Sequence, residues 1–320
     1  KDTIKSEPLP EPTWLRYVVS NEWRHDVIFP KVAGLGGAYI GVATDQNYTV
    51  AAAARSELLF LFDYDAEIGR IHRIYRALIA QVEDPNELRA LFEPANAARA
   101  RQLIATGSAD DSPKEVAALQ KVYDHYRDRL RIYLRAVANI QVGGRHPTWL
   151  GDPAAYAYLR ALVKGGRVVT VQGDMHGTTA LRSIGAACRA LKIPVRIFYT
   201  SNAEAFFKYS PAFRDNLASF PSDDRSVMLR TYKHGLPAAA GDTWHYNLHQ
   251  IKDFQERLAL RDYGTIGRVM ADLISGRAPA IDMEGLTAER YPRAWRGATL
   301  RLAPTRSAAG WTATTPAPRA

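Results

Sequence analysis

Residues 37–63, GAYIGVATDQNYTVAAAARSELLFLFD, decide the fold. Gly37–Ala43 reads as a strand. Thr44–Asn47 is a polar turn, and Tyr48–Arg55 is a helix of small residues. Leu58–Asp63 is a continuous apolar run closed by an acid, the pattern of a strand covered on both faces. Ala66–Val82 follows with apolar residues at 68, 71, 74, 75, 78 and 79, which is helical spacing. Strands alternating with helices imply a parallel sheet with crossovers. The expected fold class is therefore α/β, a Rossmann-like, mostly parallel sheet.

The same rhythm returns further on. Arg167–Val171 reads as a strand, Gln172–Gly177 as a loop and Thr178–Leu191 as a helix. Val195–Thr200 is the next strand, Asn202–Lys208 a short helix and Val227–Tyr232 an edge strand. Trp244–Leu260 and Thr265–Ser275 read as helices. Residues 83–150 are rich in Ala, Arg, Leu and Glu and contain no strand-like run. They read as a helical insertion, with a long helix over Val116–Val137 and a helix start at Ser112-Pro113. Residues 1–14 are polar and Pro-rich and read as a linker. Residues 15–302 form the α/β domain with C-terminal helices, and residues 303–320 read as a flexible tail.

Composition narrows the function classes. The 320 residues are 47% hydrophobic, enough to bury a core, which rules out bulk disorder. No run reaches the ~18 apolar residues of a membrane span. A single cysteine, Cys188, excludes an internal disulfide framework and a thiolate metal cluster. The net charge is +9, but arginines alternate with acids, as in Tyr123–Arg135, and form no basic stripe. That distribution argues against nucleic acid and for a small-molecule ligand.

In parallel sheets, ligands bind at the carboxyl ends of the strands near the topological switch point. Four such loops carry polar residues: Gly41–Asn47 with Asp45, Gln46 and Asn47; Asp63 to Asp65; Gly173 to Gly177 with Asp174 and His176; and Ser201 with Asn202. Gly41 permits close backbone approach. Asp63 or Asp65, about twenty residues on, is placed to accept both hydroxyls of a ribose. The competing reading is an acid that caps the next helix. Gly34-Leu35-Gly36-Gly37 precedes the strand, so it is not a dinucleotide fingerprint. The Thr44–Asn47 turn has no phosphate-cradling glycine, and Asp45 would repel phosphate. A ligand with a cationic centre, such as S-adenosylmethionine, suits it better. His176 is the best-placed base.

Several runs resemble a known family. These are GGAYIGVATDQNYTVAAAARSELLFLFDYDAEIGRIHRIYRALI from Gly36, GDMHGTTALRSIGAACRALKIPVRIFYTSNAEAFF from Gly173, FRDNLASFPSDDRSVMLRT from Phe213, and Val19-Ser20-Asn21-Glu22. Together they cover about residues 17–82 and 167–232. They resemble an uncharacterised bacterial family with a Rossmann fold like that of SAM-dependent methyltransferases. The resemblance implies that fold, a pocket for S-adenosylmethionine, and polar site positions at Asn21, Glu22, Asp45, Gln46, Asn47, Asp63, Gly173, Asp174, Ser201 and Asn202.

His245 and His249 fall in a predicted helix with Asp253 one turn on, a partial zinc set or simply a polar helix face. No metal site is assigned. There is no GxSxG elbow and no P-loop, which argues against hydrolase and NTPase chemistry. Tyr123, Tyr126, Tyr133 and Trp149 read as packing within the insertion. The leading expectation is a SAM-dependent methyltransferase-like protein acting on a small or medium-sized acceptor, with His176 or Glu22 as base. The alternative is a non-catalytic nucleoside-binding protein with a repurposed pocket. A metal hydrolase on the two histidines is a third, weaker reading. SAM dependence implies the cytoplasm, whereas the Pro-rich opening leaves periplasmic or secreted location open.

Overall fold

The computed structural model describes residues 4–13, 16–233, 236, 238–260, 262–274 and 280–281. Among them, seven strands form one sheet: β1 (Ala38–Gly41), β2 (Leu58–Asp63), β3 (Val168–Gln172), β4 (Val195–Ser201), β5 (Val227–Tyr232), β6 (His245–Gln250) and β7 (Ala280–Ile281). Their order is β3-β2-β1-β4-β5-β6-β7. The first five run parallel, β6 is antiparallel to β5, and β7 is antiparallel to β6. The chain builds outward from β1 through β2 to β3, then returns to lay β4 on the other side of β1. The switch point therefore falls between β1 and β4.

Helices cover both faces. On one face are α1 (Phe29–Val32), α2 (Gln46–Ala54), α3 (Ala66–Gln81), α4 (Pro85–Ala90), α5 (Ala97–Gly107), α6 (Pro113–Asn139) and α7 (Pro153–Lys164), which share a core with Tyr39, Leu61, Tyr199 and Leu229. On the other are α8 (Ala180–Ala190), α9 (Pro211–Ala218), α10 (Ile251–Leu258) and α11 (Ile266–Ile274), which pack on Ile40, Phe62, Phe198 and Met228. Burial on both faces explains why β1 and the middle of β2 are apolar without alternation.

Four helices start the same way. Asp84, Ser112, Asp152 and Ser210 each cap with a side-chain oxygen that accepts a backbone N–H, and each is followed by proline. Proline at the first helical position costs no hydrogen bond and presets the backbone angle. α6, whose 27 residues span about 40 Å, is the long helix expected in the insertion.

Three expectations are corrected. Trp244–Leu260 is not one helix: it is β6 followed by α10, because residues 245–250 pair one by one with β5 and 245–249 are buried on both faces of the sheet. β5 is consequently not an edge strand. Residues 4–13 are not a solvated linker. The Glu7 amide donates to the Gln172 carbonyl, the Gln172 amide donates to Ser6 Oγ, and Ile4 packs on the core beside α8. The tail expected at residues 303–320 lies outside the described residues. Among the described residues, no helix is long and apolar enough to cross a membrane.

Candidate functional site

The carboxyl tips of β1 and β4 flank the switch point, and both leave their strands in the left-handed region. Ala43 has φ 66° and Ser201 has φ 51°. Neither is glycine, so both conformations are strained, a feature that concentrates at functional sites. Gly41 serves a different purpose from ligand approach. A Cβ there would lie 1.9 Å from Asn47 Oδ1. Asn47 folds back beneath the strand, accepts from the Tyr39 hydroxyl at 2.9 Å, and donates to the carbonyls of Val42 and Thr44 at 2.8 Å each. Gln46 accepts from the Thr44 amide and hydroxyl and donates to the Val42 carbonyl. Both side chains are committed to shaping the β1–α2 turn.

Asp63, at the tip of β2, is partly buried. One carboxylate oxygen accepts from the Ala43 amide and the other from the Asp65 amide, each at 2.9 Å. Burial pushes its carboxyl up to about 6, against the pull of the Ala43, Asp65 and Tyr64 N–H groups. Asp65 is the helix cap, accepting from the Glu67 amide at the start of α3 and pairing with Arg16. Of the two acids at the strand end, Asp65 is the one that caps the next helix. Gly173 donates its amide to the Asp63 carbonyl, which ties the tips of β2 and β3 together. Its missing Cβ leaves room for Phe62 and Ala180. Asp174 braces its own turn by accepting from the His176 amide at 2.8 Å.

A small crevice opens beside the β1 tip, lined by Glu22, His25, Asp45, Gln46, Tyr133 and Thr148, among others. Its free space is about 10 Å³, enough for about one water molecule. Asp45 accepts from Trp149 Nε1 at 2.9 Å. Burial raises its carboxyl above the usual range, opposed by hydrogen bonds from Trp149 and Tyr133. Glu22 accepts from the hydroxyls of Ser201 and Thr231 at 2.6 Å each and from that of Tyr199, and His25 Nε2 stands 3.8 Å away. Behind the turn, His72 Nε2 donates to the Ala43 carbonyl at 2.8 Å, and its Nδ1 accepts from Tyr48 at 2.9 Å. Burial pushes this imidazole down to about 4, so it is neutral.

Glu22, Asp45, Gln46 and Ser201 therefore gather on one side of the β1 tip. Asp63, Asp65, Gly173 and Asp174 lie on the other, and the Ala43–Asp63 bond joins the groups. His176 is elsewhere. It packs on Phe207 and Phe213 and meets the Ser210 hydroxyl at 2.7 Å, on the α8–α9 face, while Glu22 lies among residues of the opposite face. The two expected bases do not share a site. Asn21 is exposed, and Asn202 is the half-buried residue that opens a short turn. His245 and His249, four residues apart on a strand, are about 13 Å apart and cannot share a metal ion. Sequence reasoning missed His25, His72 and the contact of Trp149 with Asp45. Only His72 carried a signal, since residues 68, 72, 75 and 79 lie on one helical stripe that is otherwise apolar.

A doubly wound, mostly parallel sheet with an acid-lined crevice at its switch point places the protein among Rossmann-like α/β domains. The chain belongs to the family described as domain of unknown function DUF7790, which it matches over residues 17–287. That span includes the helical insertion. No curated protein matches the chain.

Proposed function

We propose that the protein binds a ribose-bearing small molecule at the carboxyl tips of β1, β2 and β4, with S-adenosylmethionine the leading candidate, and that it is methyltransferase-like. The observation that carries this is the Asp63 carboxylate. It stands beside the β1 tip, partly exposed, and accepts from the backbone N–H groups of Ala43, Asp65 and Tyr64. A carboxylate has about four lone-pair sites, so one is left for a hydroxyl. The β1–α2 turn supports an uncharged or cationic ligand over a phosphorylated one. It offers no glycine cradle, and Asp45 is within it. Ligand pockets commonly hold ~300 Å³ or more, so binding requires the aromatic cover of Tyr133 and Trp149 to move.

One observation favours the alternative, a binding protein without methyl transfer. Glu22 already accepts from three hydroxyls, and His176 stands on the other face, so neither of the two expected bases is free at the crevice. Calorimetry with S-adenosylmethionine, S-adenosylhomocysteine and adenosine tests both readings. The expected result is binding that Asp63→Ala weakens at least about tenfold, the worth of one or two hydrogen bonds to a charged group. Failure of all three compounds to bind overturns both readings. Binding without turnover over a broad panel of acceptors selects the second.

A further inference from the structure

Four nearly fully buried side chains on the α10–α11 face hold polar atoms with no hydrogen-bond partner among the described residues: Arg230 Nη1 and Nη2, Asn247 Oδ1, His249 Nδ1 and the Tyr263 hydroxyl. Arg230 on β5 stands directly opposite Asn247 on β6, and His249 is two residues along on the same face. Arg230, His249 and Tyr263 gather around one ring. The Arg230 guanidinium lies 4.4 Å from the Phe254 centroid, the His249 ring 5.5 Å and the Tyr263 ring 6.2 Å. Groups of this kind are nearly always satisfied in folded proteins, and a guanidinium cannot shed its charge to escape the cost.

Only Nε of Arg230 is used, donating to Glu204 Oε1 at 2.8 Å. The Glu204 carboxylate is then completed by Thr200 and Tyr209. His249 Nε2 donates to Asp253, which leaves a lone pair on Nδ1. Burial lowers that ring's affinity for a proton, against the pull of Asp253. The cluster therefore presents a guanidinium edge of unused donors beside two acceptors.

We propose that Arg230, Asn247, His249 and Tyr263 form a binding site for a small carboxylate that carries a hydroxyl or ammonium group on the neighbouring carbon. The carboxylate oxygens lie side by side on Nη1 and Nη2, as guanidinium geometry favours. The adjacent donor goes to Asn247 Oδ1 and His249 Nδ1, and the Tyr263 hydroxyl completes the site. The polar atoms have no open space beside them, so entry requires the α10–α11 cover to lift. The site is on the opposite face from the Glu22 network and does not rest on the nucleoside reading.

The test is a thermal-shift and calorimetric titration of the full chain with lactate, glycine and acetate. Lactate or glycine is expected to bind at least about tenfold tighter than acetate, the factor for one hydrogen bond to the missing donor. Asn247→Asp sets a carboxylate opposite Arg230 and is expected to raise the melting temperature and abolish the response. Arg230→Met serves the same purpose should the aspartate variant not fold. No response to lactate or glycine overturns the proposal, and so does an undiminished response in either variant. Acetate binding as tightly as lactate overturns it too, since the two acceptors then play no part. A more stable Arg230→Met variant, with no response from the parent chain, would mean that the cluster holds only water.

Discussion

Gly41→Ala distinguishes a glycine kept for a ligand from one kept for its own loop. The added Cβ falls 1.9 Å from Asn47 Oδ1 and 2.6 Å from the Tyr39 ring. Asn47 must leave, and three buried hydrogen bonds go with it. At about 1 kcal/mol each they account for roughly 3 kcal/mol. The Val42 and Thr44 carbonyls keep other donors, Gln46 Nε2 and the Asn47 amide. The Tyr39 hydroxyl has no such substitute, and stranding it adds about 1 kcal/mol more. The expected loss is about 4 kcal/mol, near the top of the range for one substitution, read as a fall in the urea midpoint with unchanged slope. The decisive measurement is the double variant. With Asn47→Ala already made, the main obstacle is gone, and Gly41→Ala should cost no more than about 1.5 kcal/mol, a strong coupling between the sites. A loss under about 1 kcal/mol in the parent chain would refute the reasoning. So would the full loss persisting in the Asn47→Ala background.

Two buried groups give opposing pH dependences. His72 is held near 4 against an ordinary 6.5, so the unfolded chain protonates first and stability falls as pH drops through that window, by up to about 3 kcal/mol. Asp63 is raised from 3.8 to about 6, so the folded chain protonates first and gains stability as pH falls from about 6 to 3.8. Urea midpoints should therefore fall more steeply with acid in Asp63→Asn than in the parent, and rise in His72→Gln. Matching profiles in the two variants would contradict both assignments. Trp149→Phe removes the N–H that reaches Asp45 and should cost about 2 kcal/mol, checked by urea unfolding. Glu7 accepts from the amides of Asp174, Thr179 and Ala180, so Glu7→Gln should cost about 1 kcal/mol and speed amide exchange at Thr179 and Ala180. Unchanged exchange there would mean the leader does not cap α8 in solution.

The fold was legible where the sequence has no competing reading. Leu58–Asp63 is a strand to the residue, because six apolar or terminal positions in a row fit only a doubly covered strand at that length. The Ser112-Pro113 start of α6 was legible for the reason that makes it stable, a cap followed by a preset angle. β6 was not. His245, Asn247 and His249 are polar yet buried, and polar residues at a buried face read as the wet side of a helix. The leader was misread for a similar reason. Its polarity fits a solvated segment, and nothing local reveals that Glu7 finds the amides of Asp174, Thr179 and Ala180 before and at the start of α8.

The site was half legible, and the illegible half has one cause. Polar residues at strand tips mark where a ligand can bind, but the same side chains are what a tight loop needs for its own backbone groups. Asn47, Gln46, Asp65 and Asp174 all turn inward for that purpose. Asp63 differs from them in staying partly exposed at the β1 tip while it accepts from the Ala43, Tyr64 and Asp65 amides. Glu22 is not a bare carboxylate either, since it already accepts from the hydroxyls of Tyr199, Ser201 and Thr231. On the proposed reading Asp63 would hold a ribose hydroxyl, while neither Glu22 nor His176 is placed to move a proton. Any methyl transfer here would have to come from alignment of the acceptor with the methyl group, and acceptors that need no deprotonation are the ones to try first.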